Sequence, residues 1–250
     1  MSVNLLVTPA ELDSSELVVD GEAYRHLFRA ARVATGDAVR VVDGRGRARD
    51  GEVAAVDRRR AVVTLGAAAP SREPRLRLEL LSAVPRPSRA SWLIEKGTEL
   101  GVRAFRFLDC ERSARPLDSA ALDRLRRIAR AAVEQCGRSW VPELTASHRL
   151  EEALGSGDFD ASVVLDPDAA GGAAGSAGEP ARDRIASLAV VVGPEGGFTP
   201  AELDQARRAG ARPLRLVPSV LRIETAALAA AAWALIQWES DPARPGRTSL

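Results

Sequence analysis

Cysteine, lysine and long apolar runs are all scarce in this 250-residue chain, and each scarcity narrows what it can be. Two cysteines, Cys110 and Cys136, make no disulfide framework, and no metal-ligand spacing surrounds them. A reduced, cytoplasmic protein without a metal centre is the expectation that follows. The longest apolar stretch, Ala226 to Ile236, is too short and too alanine-rich for a membrane span. The opening Met-Ser-Val-Asn lacks the basic region and apolar stretch of a secretory leader, so no membrane partner is expected. Charge of one sign is not in excess either: 35 basic residues face 34 acidic ones, a net charge of +1. That balance excludes a globally basic nucleic-acid binder and leaves room for a local basic patch.

What is present suffices for a large core. The chain is 46% hydrophobic and 28% charged, which rules out wholesale disorder. Lys96 is the only lysine, so almost every cation is an arginine, the better residue for gripping phosphates in two-pronged fashion.

The rhythm of the chain changes near residue 72. Before it, Asn4–Val7, Leu17–Val19, Ala38–Val42, Gly51–Val56 and Ala61–Leu65 read as short strands separated by turn residues, the spacing of a small β-barrel. One helix, Glu22 to Val33, interrupts them. Tyr24, Phe28 and Ala31 form its apolar stripe, and Arg25, Arg29 and Arg32 form the stripe beside it. Those arginines are candidate phosphate contacts or simply a solvated face. Pro70 to Pro74 reads as a linker.

Beyond it, strands alternate with helices. Leu76–Val84, Arg103–Leu108, Ala161–Leu165, Leu188–Val192 and Pro213–Val217 are the strands, and Ser91–Leu100 and Asp118–Gly137 are helices. This alternation predicts a largely parallel sheet with helices on its faces. Asp168 to Pro180 is rich in alanine and glycine and predicts a loop. Boundaries follow at 1–72, 73–240 and a tail at 241–250.

Two βα junctions carry the candidate chemistry. The first runs from an apolar strand through Gly193-Pro194-Glu195-Gly196-Gly197 into a well-marked helix start, with Thr199 as N-cap, Pro200 at the first position and Glu202 completing a capping box. Glycines at the carboxyl end of a buried strand let a ligand approach the backbone. The spacing matches neither a phosphate-binding P-loop nor a dinucleotide fingerprint. The second junction, Pro218-Ser-Val-Leu-Arg-Ile-Glu-Thr-Ala226, places Arg222 and Glu224 before a nearly pure alanine helix, where charges need a partner or a ligand. Consecutive loops of a parallel sheet meet at one edge, so one pocket is expected from both. From these residues alone the occupant of that pocket stays open.

Taken in order along the chain, these segments resemble the RsmE-type 16S ribosomal RNA uridine-N3 methyltransferases of the SPOUT superfamily. Glu95-Lys-Gly-Thr-Glu-Leu-Gly-Val102, Cys110-Glu-Arg-Ser113, Glu134-Gln-Cys-Gly-Arg-Ser-Trp-Val-Pro142 and the two junctions carry the likeness. Arg25-His26 through Arg32, Gly36-Asp37 and Asp43-Gly44 extend it to the start. Ser219, Glu95 and Asp166-Pro167 depart from the family pattern, which more often has arginine, glutamine and histidine there. The resemblance implies a small PUA-like β-barrel, then an α/β SPOUT-type parallel sheet with a C-terminal trefoil knot. It implies a homodimer acting on 16S rRNA or the small ribosomal subunit, with S-adenosyl-L-methionine as cofactor. Carried onto this chain, the cofactor falls to Leu165, Gly193, Pro194, Glu195, Gly196, Gly197, Leu216, Val217, Leu221 and Ile223. Arg222 is the candidate for stabilising charge on the uracil, and Glu224 for orienting Arg222 or accepting a proton. Arg25, His26, Arg29, Arg32, Arg112 and Arg138 are the candidate RNA contacts.

Overall fold

The computed structural model describes residues 3–25, 33–113, 116–169 and 185–239, and their contacts divide into two compact units. One draws on residues up to Glu73 together with Ala129–Val141; the other draws on Pro74–Ile128 and on the chain from Pro142 onward.

In the first unit, β1 (Val3–Leu6), β2 (Glu16–Val19), β3 (Ala38–Val42), β4 (Ala48–Val56) and β5 (Ala61–Ala68) form a sheet in the order β1-β3-β4-β5-β2. Alternation decides its inner face: Leu17 and Val19 of β2, Val39 and Val41 of β3, and Ala61, Val63 and Leu65 of β5 point into a shared core with Leu12 and Tyr24. Irregular pairing of β4 with β5 at Arg49/Gly51 and Val53/Ala55 bends the sheet, as extra residues in a ladder do. Two short helices, α1 (Pro9–Leu12) and α2 (Gly21–Tyr24), connect the strands. Of the helix expected over Glu22 to Val33, α2 covers Glu22 to Tyr24, Val33 is not helical, and residues 26–32 lie outside the described residues.

The segment expected to be a linker does structural work in this unit. Glu73 Oε1 accepts the backbone N–H groups of Ser139 (2.7 Å) and Trp140 (3.0 Å), while Oε2 accepts Arg138 Nε (3.0 Å) and Nη2 (2.7 Å). One carboxylate thus answers four donors across 65 or more positions of sequence. Asn4 Nδ2 adds a bond to Glu134 O at 2.9 Å.

The second unit is built on β6 (Arg77–Ala83), β7 (Ala104–Leu108), β8 (Glu143–His148), β9 (Ala161–Leu165), β10 (Ser187–Val192) and β11 (Arg212–Leu214), in the order β11-β9-β10-β6-β7-β8. Every neighbouring pair is parallel. All six residues of β10 are buried, as an unbroken apolar run in a covered sheet should be. The helices are α3 (Pro87–Leu100), α4 (Ser119–Cys136), α5 (Leu150–Gly155), α6 (Pro200–Arg208) and α7 (Ile223–Glu239). Alanine lets α7 lie close to α3, β6 and β10, with Ala227, Ala230, Ala231 and Ala234 fully buried. Among the described residues, no helix is long and apolar enough to cross a membrane.

Gly101 ends α3 in the left-handed region, φ 111°, and a Cβ there would sit 2.3 Å from Pro74 Cγ. Both features demand glycine. Gly101→Ala is therefore expected to lower stability by about 2 kcal/mol, through strain and overpacking together. A urea titration reads this directly; an unchanged midpoint would mean the turn relaxes freely.

Candidate functional site

Loops leaving the carboxyl ends of β9, β10 and β11 converge because β9 lies between β10 and β11 in the sheet. They enclose a cavity of about 370 Å³. This is the edge at which open parallel sheets take ligands, and the volume is that of a small-molecule site. All ten residues assigned to a cofactor line it: Leu165 from the β9 end, Gly193 to Gly197 after β10, and Leu216, Val217, Leu221 and Ile223 after β11. Gly196 and Leu221, which the sequence places on different loops, share this cavity.

Local chemistry fixes the glycine loop. Thr199 caps α6 with its side chain on the Glu202 N–H, and Glu202 Oε2 returns to accept Thr199 N at 2.7 Å. Its other oxygen, Oε1, accepts Glu111 N at 2.9 Å, which draws the segment after β7 to the same place. Arg112 then donates from Nη1 to Gly196 O at 2.9 Å and becomes part of the cavity wall. Gly197 N closes a turn on Pro194 O at 2.8 Å, and its φ of 70° suits glycine. At Gly193 a Cβ would come within 3.0 Å of the Phe198 ring, and at Gly196 within 3.3 Å of Arg112 Cβ. The absence of side chains there keeps backbone exposed to the cavity.

The wall divides chemically. Leu165, Leu216, Val217, Leu221 and Ile223 supply apolar surface, Asp166, Asp168 and Glu195 supply carboxylates, and Arg112 and Arg215 supply cations. Asp166, 7% exposed, accepts Asp168 N at 2.9 Å, and its Oδ2 lies 3.7 Å from Arg207 Nη2. A slot of this kind suits a ligand with a flat apolar base at one end and a cationic portion near the acids. S-adenosylmethionine has both, and the residues present fit it.

The remaining candidates are placed unequally. Arg222 is exposed between the wall residues Leu221 and Ile223 and is not itself part of the wall. Glu224 is buried, and its Oε1 lies 3.3 Å from Nε of Arg89 on α3. The expectation that Glu224 orients Arg222 is therefore corrected: its charge is met by Arg89, a partner 135 positions away that no local pattern announces. Among the described residues, Glu224 Oε2 is buried without a hydrogen bond. Arg138 is also corrected. Its side chain is only 5% exposed and spent on Glu73, so it is a structural residue of the first unit rather than a cation open to RNA. Arg25 is exposed at the end of α2, its Nε on Gly21 O at 3.2 Å. His26, Arg29 and Arg32 lie outside the described residues, as does most of the Asp168–Pro180 loop.

Lys96 pairs with Glu95 and with Glu99 three positions on, each at 2.8 Å. Burial, reinforced by the Glu202 charge, pushes the Cys110 thiol up to about 12, so it is a neutral packing group and no nucleophile. Trp92 is 47% exposed. No group of histidine, cysteine and acidic residues among the described residues could hold a metal ion.

Comparison with known proteins bears on the same regions. Residues 72–235 match a family described as the RNA methyltransferase domain, and residues 19–66 match the RNA methyltransferase PUA domain. The ribosomal RNA small subunit methyltransferase E of Mycobacterium bovis is 32% identical, over 85% of this chain and 83% of its own length. Its Bacillus subtilis namesake is 30% identical over 84% and 86%. Among solved structures, the Neisseria gonorrhoeae ribosomal RNA small subunit methyltransferase E bound to S-adenosyl methionine superimposes with a TM-score of 0.82 at 26% identity, covering 95% of this chain and 98% of that one. A putative Legionella pneumophila methyltransferase with bound SAM gives 0.78 at 25% identity, with 94% and 97% covered.

Proposed function

The chain belongs to the RNA methyltransferase family, and from that premise we propose that it methylates N3 of a uridine in 16S ribosomal RNA. The observation that carries this reading is the shared cavity of the β9, β10 and β11 loops, lined by every residue assigned to the cofactor.

S-adenosylmethionine, when bound, supplies a methyl group on a positively charged sulfur. Leu165, Leu216, Val217, Leu221 and Ile223 would hold it by its apolar parts, and the backbone of Gly193 to Gly197 is bare enough for it to approach closely. Asp166, Asp168 and Glu195 are the wall carboxylates that a cationic sulfur would face, with Arg112 and Arg215 as the wall's cations. Loss of the N3 proton to solvent would leave negative charge on the uracil oxygens, and that charge would be discharged as N3 takes the methyl group and the sulfur departs as a neutral thioether. Arg222, exposed beside the wall, neutralises that charge in this reading, while most of the acceleration comes from alignment in a water-poor site. Glu224, drawn to Arg89, sets the start of α7 rather than taking the proton.

Arg25 with His26, Arg29 and Arg32 holds RNA phosphates on the first unit, and Arg112 meets RNA beside the pocket. The enzyme works in the cytoplasm as a homodimer, with its C-terminal segment threaded as a trefoil knot. Support for the dimer comes from α3 and α7, which pack together and leave Trp92 and Ile236 47% and 63% exposed. Apolar exposure of that kind suits a second copy.

Nucleoside mass spectrometry of 16S RNA tests the activity. A strain lacking the gene should lose 3-methyluridine and regain it on complementation. Persistence of that nucleoside in the deletion strain would overturn the assignment.

A further inference from the structure

Strands β4 and β5 pair up to Val56 and Ala61, leaving Asp57-Arg58-Arg59-Arg60 as the hairpin tip. Folding alone does not call for this sequence. Turns use glycine, asparagine or aspartate for backbone reasons, and three adjacent like charges repel one another. Asp57 provides the turn: its N–H donates to Arg60 O at 2.9 Å, and its Oδ1 accepts Arg59 N at 3.1 Å. The arginines add nothing to that geometry. All three are exposed. Arg60 Nε leans back to Asp57 at 3.6 Å, whereas the guanidinium groups of Arg58 and Arg59 have no partner among the described residues.

The tip is also tied to a residue already assigned to RNA. The Tyr24 hydroxyl donates to the Asp57 carbonyl, and the buried Tyr24 ring belongs to the core of the first unit. Arg25 follows Tyr24 directly, so the end of α2 and the hairpin tip are held side by side. Asp20 and Glu22, the acids of that segment, are exposed and pair with neither Arg58 nor Arg59.

We propose that the β4–β5 hairpin tip is a phosphate-gripping surface for the RNA substrate, with Arg58 and Arg59 working beside Arg25. The inference rests on the RNA reading above and extends it to residues outside the α2 stripe. Guanidinium forks recognise phosphate oxygens two at a time, and a rigid turn presents them at little entropic cost. Such contacts position RNA without reading its sequence.

The test is filter binding of a 16S rRNA transcript to the full-length protein over a range of salt concentrations. Arg58→Ala/Arg59→Ala is expected to bind about tenfold more weakly at low salt, with the plot of log affinity against log salt shallower by about 1–2. S-adenosylmethionine affinity, measured calorimetrically on the same variant, stays unchanged. Arg58→Lys/Arg59→Lys keeps most of the salt slope, because it keeps the charge. A double alanine variant with the affinity and slope of the parent would overturn the proposal. If the parent protein takes up S-adenosylmethionine but binds neither the transcript nor undermodified small subunits, the RNA reading falls first, and this inference falls with it.

Discussion

Replacing Arg222 by alanine is expected to slow methyl transfer by about a hundred- to a thousand-fold, the usual cost of removing one group aimed at developing charge in a transition state. Affinity for S-adenosylmethionine should hardly move. The two outcomes separate because Leu221 and Ile223 line the cavity while Arg222, between them, is exposed and outside its wall. A guanidinium so placed can meet a substrate without touching the cofactor. Single-turnover kinetics with undermodified small subunits read the first quantity, and calorimetry reads the second. An anchoring role would reverse the pattern: cofactor affinity would fall, and the rate at saturation would survive. Full activity in a folded Arg222→Ala protein would remove Arg222 from the chemistry altogether.

The second large effect is on stability. Glu73→Ala should destabilise the first unit by about 3–5 kcal/mol, the cost of stripping a partner from a buried charge. Arg138 would lose its carboxylate, and the N–H groups of Ser139 and Trp140 would lose their acceptor. Glu73→Gln keeps an oxygen for the two backbone donors and gives up the charge, so its loss should be smaller. Urea unfolding of the three proteins ranks them. A loss below about 1 kcal/mol for the alanine variant would place this pair with ordinary surface ion pairs.

These two residues also show what could be read from sequence. Local physics was legible. The Thr199-Pro200-Glu202 cap of α6, the end of α3 at Leu100 and the apolar run of β10 all have causes within a few residues, and all are found where expected. Convergence of two βα loops on one cavity followed from their both leaving the same edge of a parallel sheet. Strand β8 escaped notice because Glu143–His148 is an edge strand, polar along most of its length, with Leu144 alone fully buried. Alternation and β-branching are weak in such a strand. Pairings across the chain escaped for another reason. Glu73 with Arg138, Arg89 with Glu224 and Arg112 with Gly196 join positions 65 to 135 residues apart, and no short motif encodes them. Arg138 was misassigned on that account: an arginine between Gly137 and Ser139 looks available until the carboxylate that holds it is known. The one hint was Glu73 itself, an acid inside a proline-bounded stretch that otherwise reads as a spacer.

The central claim is that three loops of one sheet edge make a single cradle for a methyl donor. Calorimetric titration of the intact protein with S-adenosylmethionine addresses it most directly. The account predicts saturable binding at one site per chain, with no comparable heat from ATP or NAD. A correctly folded protein that ignores S-adenosylmethionine, or prefers either nucleotide, would contradict it.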